Sequence, residues 1–299
     1  MILYKYRGNS HFTDSILTEK KVWLANATTL NDPFECTIQE IAKEFIEEQI
    51  EQMKMGHVMG FLQSALTSIK NKTDFYGLTP KQTKEYLGKL KARKTIAEQH
   101  RASREFIHRK TGNYTSDPEK TYANFDNQLN DVGIFSLTED PENQLMWAHY
   151  AEQSKGIALG FEVTENSKLA SKTNCLKVNY SDELPAFSGE GFLIESSIVR
   201  RGTNTQKIVF HDPTMQAAIS TKPSCWNYEK EWRYVEELAG SYAYPGKLRE
   251  LVFGLKCPDS KRKEYIDLLK SSGHTEIELF EIIILQNSNQ IRKSKLELI

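Results

Sequence analysis

The tract Tyr228-Glu229-Lys230-Glu231-Trp232-Arg233 is the densest set of chemically capable groups in this sequence. Two carboxylates one residue apart share a face if the tract is extended. Like charges that close raise one another's pKa, which suits proton transfer or stabilisation of a developing cation. Arg233 shares that face and could neutralise them, while Trp226 and Trp232 flank the pair. The plainer reading of the same residues is an edge strand carrying a solvated salt bridge.

A second cluster, Met146-Trp147-Ala148-His149-Tyr150, offers His149 as a proton-transfer group. A histidine beside Trp and Tyr serves equally well as a structural hydrogen-bonding residue. A third, Leu30-Asn31-Asp32-Pro33-Phe34-Glu35, has acids that could bind a metal. Turn chemistry explains it as well: Asp32 or Asn31 bonds backbone amides and Phe34 packs inward. The sequence contains no G-x-G-x-x-G, P-loop, H-E-x-x-H or G-x-S-x-G, which disfavours nucleotide kinases, ordinary dehydrogenases and α/β hydrolases. Cys36, Cys175, Cys225 and Cys257 form no C-x-x-C pair, so neither a zinc site nor a disulfide framework is expected.

The elements that must position these groups are legible in outline. Leu3, Tyr4 and Tyr6 mark a first strand, Thr13 or Asp14 caps a short helix, and Val22-Trp23-Leu24-Ala25 is a second strand. From Thr37 apolar residues recur at helical spacing, at Ile38, Ile41, Phe45, Ile46 and Met53, and this pattern predicts a helical insertion over 38–125. Its basic stretch 81–110 could grip phosphates. Few aromatic residues interleave the bases, so the plainer reading packs basic and acidic helices side by side. Strand signals return at Val132–Leu137, Gly156–Phe161, Leu176–Tyr180, Trp232–Val235, Leu251–Gly254, Ile277–Leu285 and Leu296–Leu298, with a helix over Lys261–Leu269. Ser181–Pro213, with Gly189, Gly191 and Gly202, reads as a long irregular excursion. The expectation is a single α+β domain spanning 1–299, with mixed sheets and a long all-helical insertion.

The bulk numbers fit an ordinary globular protein: 299 residues, 39% hydrophobic and 26% charged. A formal net charge of −1 gives no global pull toward nucleic acid or an acidic membrane. The start is too short and polar for a signal peptide, and no apolar run is long enough to span a bilayer. A cytoplasmic protein with free thiols and no membrane partner is expected.

The order of these motifs resembles that of the bacterial and phage proteins grouped as domain-of-unknown-function family 2971. Leu3–Arg7, Leu30–Glu35, Phe135–Glu139, Met146–Tyr150, Gly156–Phe161, Lys222 and Trp226–Arg233 carry the resemblance, which covers the chain apart from the helical insertion. A more distant resemblance is to the ADP-ribosyltransferase fold, whose members bind NAD in a cleft between two small sheets. One class uses an Arg on the first strand, a Ser-rich strand and a late Glu-x-Glu. Arg7, Ser136-Leu137-Thr138 and Glu229-Lys230-Glu231 follow in that order, with Ser-Leu-Thr in place of Ser-Thr-Ser. A second class has a His on the first strand, where this chain has Lys5. The resemblance implies NAD as substrate, no metal, and a transferase or NAD glycohydrolase of bacterial defence or toxin systems, with no acceptor identified as protein or nucleic acid. Glu231 and Glu229 would be catalytic. Arg7, Tyr6, Ser136, His149, Tyr150 and Trp147 would bind the nucleotide. The alternatives are a metal-dependent nuclease or hydrolase using Asp32, Glu35, Glu139, Glu229 and Glu231, and a non-catalytic sensor or interaction module.

Overall fold

A computed structural model describes residues 1–113, 115–187, 192–198 and 204–296. Gly189, Gly191 and Gly202, and Glu297-Leu298 of the last expected strand, lie outside the described residues. In chain order the elements begin with β1 (Ile2–Arg7), α1 (His11–Glu19), β2 (Lys21–Asn26), α2 (Lys43–Lys70), α3 (Pro80–Lys91), α4 (Ile96–Thr111), α5 (Pro118–Ala123) and α6 (Phe125–Asp131). Then come β3 (Gly133–Thr138), α7 (Gln144–Tyr150), β4 (Ile157–Glu162), β5 (Cys175–Lys177), β6 (Asn179–Tyr180), β7 (Ile194–Ile198) and β8 (Asn204–Ile208). The chain continues through α8 (Pro213–Ser220), β9 (Thr221–Lys222), β10 (Glu231–Glu236), β11 (Gly240–Ala243), β12 (Lys247–Phe253), α9 (Asp259–Ser271), β13 (Glu278–Ile284) and β14 (Ile291–Lys295). The fold is α+β with a sheet of mixed orientation.

Two compact units result: Met1–Ile38, Leu129–Pro185 and Met215–Ile299 form one, and Gln39–Gln128 with Ala186–Thr214 form the other. The second unit contains the helices expected at 38–125. It also takes in part of the stretch read as irregular, where β7 and β8 pair as an antiparallel hairpin, so it is not all-helical. Its core packs Phe61 and Ala65 of α2 against Leu87 and Leu90 of α3 and Ala102 and Phe106 of α4. Thr79 opens α3 with a full capping box and Pro80 stands at its first turn, which fixes where that helix starts.

The first unit is built on a ten-stranded sheet in the order β11-β2-β3-β1-β4-β12-β13-β14, with β10 joining β3 and β5. All its pairs are antiparallel except β12–β13, whose parallel pairing is allowed by the α9 crossover. α1 is capped by Ser10 rather than Thr13 or Asp14, because Ser10 holds the extended backbone that a cap requires. β4 is buried on both faces, which explains its unbroken apolar run. A Cβ on Gly156 would come within 2.0 Å of the Arg7 carbonyl oxygen, so the backbone approach there demands glycine.

The sheet opens beside β1. β1 pairs with β4 along its whole length, from Ile2↔Glu162 to Arg7↔Ile157. It meets β3 only at Tyr4↔Thr138. Continuing that register would set Lys5 against Leu137 and Tyr6 against Ser136, but those residues diverge and leave an open seam.

Candidate functional site

The seam is a cleft of about 240 Å³ lined by Tyr4, Lys5, Tyr6, Ser136, Leu137 and Glu231, with Glu35, Tyr150, Lys222 and Glu229 among its further walls. Glu231 opens β10, and β10 pairs with β3 in register, Arg233 opposite Ser136 and Glu231 opposite Thr138. β10 is therefore an interior strand between β3 and β5, not an edge strand. Glu229 is not on that strand. It ends a 3-10 turn over Ser224–Glu229, and Lys230, in the left-handed region at φ 45°, swings the chain into β10. The two carboxylates converge because of this corner, not because an extended tract puts them on one face.

They converge on Lys222. Its ammonium lies 2.7 Å from Glu229, 3.1 Å from Glu231 and 3.3 Å from Glu35. Arg233 bridges Glu231 at 3.1 Å and also binds Glu35. All five side chains are buried, Arg233 fully. The Trp226 ring covers Lys222, its centroid 4.9 Å from Nζ. Burial opposes ionisation of Glu231, but Arg233 and Lys222 outweigh it, with a hydrogen bond to Ser136 helping, and hold the carboxyl down at about 2. Burial works against the Lys222 cation too, and the three carboxylates more than compensate, so its pKa is raised. Glu35 is the exception: burial raises its pKa more than Arg233 and Lys222 lower it.

Three carboxylates against two cations leave one negative charge in surplus when all are ionised. Tyr150 donates to Glu229 over 2.6 Å, and Asn31 donates to the Tyr150 hydroxyl over 3.2 Å. Cys36 beside Glu35 and Lys230 beside both other acids hold positive φ without being glycine. Strain of this kind, about 1–3 kcal/mol per residue, clusters at functional sites.

The structure gathers Glu231, Glu229, Tyr6, Ser136 and Tyr150 into one cleft and leaves three sequence candidates outside it. Trp147 is buried beneath Tyr6, edge to face at 4.9 Å, and its indole donates to the Pro141 carbonyl at 2.8 Å. It is a core residue with no face free to stack on a ligand. His149 is exposed, on the outer side of α7. Arg7 ends β1 opposite Ile157 and does not line the cleft.

Of the acids considered as metal ligands, Asp32 caps the amide of Phe34 at 2.9 Å, and Glu139 accepts from Trp232 and pairs with Lys177. The other three already surround an ammonium, which takes the place a metal would need. Phe34 is 63% exposed rather than packed inward, because the Asp32 turn projects it outward.

The sequence groups Glu35 with Glu229 and Glu231 only as metal ligands; Lys222 as the cation between them and Lys5 as a lining group were not expected. Lys222 had a signal: a lysine just beyond the apolar Ala217-Ala218-Ile219 and before Pro223 is poorly placed for solvent.

Residues 146–234 match the family described as protein of unknown function (DUF2971). That span runs from within α7 into β10 and includes Tyr150, Lys222, Glu229, Glu231 and Arg233. No curated protein and no solved structure matches the chain. Among the described residues no helix is long and apolar enough to cross a membrane.

Proposed function

We propose that the first unit cleaves the nicotinamide–ribose bond of NAD, passing ADP-ribose to water or to an acceptor. The observation that carries this reading is the open seam between β1 and β3, lined by Ser136 and by Glu231 with a surplus negative charge. β1, β3 and β10 bear the first-strand cation, the Ser-Leu-Thr tract and the late glutamate of the more distant resemblance, and they are successive neighbours in the sheet.

Bond cleavage develops positive charge on the ribose. A preorganised carboxylate stabilises that charge most where water is excluded. Glu231 is fixed as the anion by Arg233 and Lys222, so it meets the developing cation without reorganising. Glu229, held by Tyr150, lies next to it and would orient the incoming hydroxyl or water. Tyr6 and Tyr150 supply the aromatic wall that the buried Trp147 does not.

The same network ties the Glu35 turn, β9 and β10 together, which favours as second reading a binding module whose charges hold the fold. Chromatographic assay of nicotinamide released from NAD by the whole chain, with and without EDTA, separates the readings. Release unaffected by EDTA supports NAD cleavage. EDTA-sensitive turnover supports metal chemistry, and no turnover leaves the binding module.

A further inference from the structure

The cleft holds two lysines in opposite circumstances. Lys222 is clasped by three carboxylates. Lys5 lines the seam, and among the described residues its ammonium has no hydrogen bond and no carboxylate within 4 Å. Its Nζ lies over the face of Phe135, 4.9 Å from the ring centroid. Arg7, two residues on and on the same side of β1, brings a second cation close, and the Arg7 Nε is itself buried without a partner. An amine held against an aromatic ring, beside another cation and open to a small cleft, is in the setting that makes lysine a nucleophile.

We propose that Lys5 is a nucleophilic amine that captures small uncharged aldehydes or ketones in this cleft as an imine. The nitrogen lone pair forms the N–C bond to the carbonyl carbon, and the carbonyl oxygen takes up the proton the amine sheds. Loss of one water then leaves the C=N bond, with no oxidant or reductant involved. The surplus negative charge of Glu35, Glu229 and Glu231 over Lys222 and Arg233 stabilises the protonated imine. It disfavours a carboxylate attached to the captured carbonyl carbon itself, beside those acids, which is why the substrate is an uncharged aldehyde or ketone.

The protonation balance agrees with the geometry. Burial and then Arg7 lower the Lys5 pKa, Glu231 and Glu229 raise it, Lys222 lowers it, and the outcome is about 7. The free base is therefore abundant at neutral pH, unlike that of a surface lysine. This inference does not depend on the NAD reading.

The test is reductive trapping on the whole chain with propionaldehyde and cyanoborohydride at pH 7, read by peptide mass spectrometry. Lys5 is expected to be alkylated at least about tenfold faster than the surface lysines, with a rate that titrates near pH 7. Glyoxylate should label it more slowly than propionaldehyde. Lys5→Arg should lose only the Lys5 adduct while the surface lysines label as before. Labelling of Lys5 no faster than the surface lysines, a rate that rises only near pH 10 as theirs does, or preference for glyoxylate would overturn the proposal.

Discussion

Lys222→Met removes the charge at the centre of the network while keeping most of the side chain's volume. Lys222 is 3% exposed, so bulk solvent screens its loss poorly. The variant leaves Glu229 with Tyr150 as its hydrogen-bond donor and leaves Glu231 and Glu35 to share Arg233. Breaking a buried ion pair by deleting one partner costs about 3–5 kcal/mol. The Glu231 carboxyl alone gives a similar figure: holding it at about 2 instead of its ordinary 4.5 corresponds to roughly 3 kcal/mol, shared between Lys222 and Arg233. At about 2–4 °C per kcal/mol for a unit of this size, the melting temperature should fall by roughly 6–20 °C.

The pH dependence between 7 and 5 should also change. In the wild type Glu231 is depressed, so its contribution is complete above the ordinary carboxylate value and is lost as pH falls through about 2. In the variant the unneutralised carboxylates are raised, the folded state binds more protons, and stability should increase as pH falls from 7 toward 5. Urea titrations followed by tryptophan fluorescence at several pH values measure both effects. A loss below about 1 kcal/mol, or no larger gain in stability for the variant than for the wild type between pH 7 and 5, would overturn this expectation.

Three further outcomes follow from the same structure. Gly156→Ala should lose at least about 1–3 kcal/mol by urea titration, because its Cβ meets the Arg7 carbonyl and neither backbone can yield. In the helical unit, His100 is 3% exposed and donates to or accepts from His57 at 3.0 Å. Burial, then His57 and Arg104, push it down to about 4, so stability should fall as pH drops from the ordinary histidine value through about 4, and His100→Gln should flatten that dependence in a calorimetric pH series. Trp147→Ala should cost about 3–5 kcal/mol by the same urea assay and so mark that residue as core.

What the sequence made legible was periodicity and local chemistry. The alternation of Leu3, Tyr4 and Tyr6, the apolar run of β4 and the helical spacing beyond Thr37 each identify an element, because each face is set by burial alone. The hairpin β7–β8 and strand β11 escaped notice because Ile194–Ile198, Asn204–Ile208 and Gly240–Ala243 are short and polar, and pairing rather than propensity makes them strands. In the site, the pairing of Glu229 and Glu231 was legible but its cause was not. A left-handed Lys230 cannot be read from a lysine. The convergence of Glu35 and Lys222 on those acids is a long-range contact that no local pattern encodes. Trp147 and His149 looked functional by type, and only the rotation of α7 decides that one is buried beneath Tyr6 and the other faces solvent.

In the proposed reaction the Glu231 carboxylate, which lines the β1–β3 seam, stabilises positive charge on a ribose. The most direct measurement compares NAD turnover by the wild type and Glu231→Gln, with the melting temperature of each as the folding control. Gln keeps the shape and removes the charge, so turnover should fall by at least about 100-fold in a variant that still unfolds cooperatively. Equal turnover by a folded Glu231→Gln protein, or none by the wild type, would contradict the account.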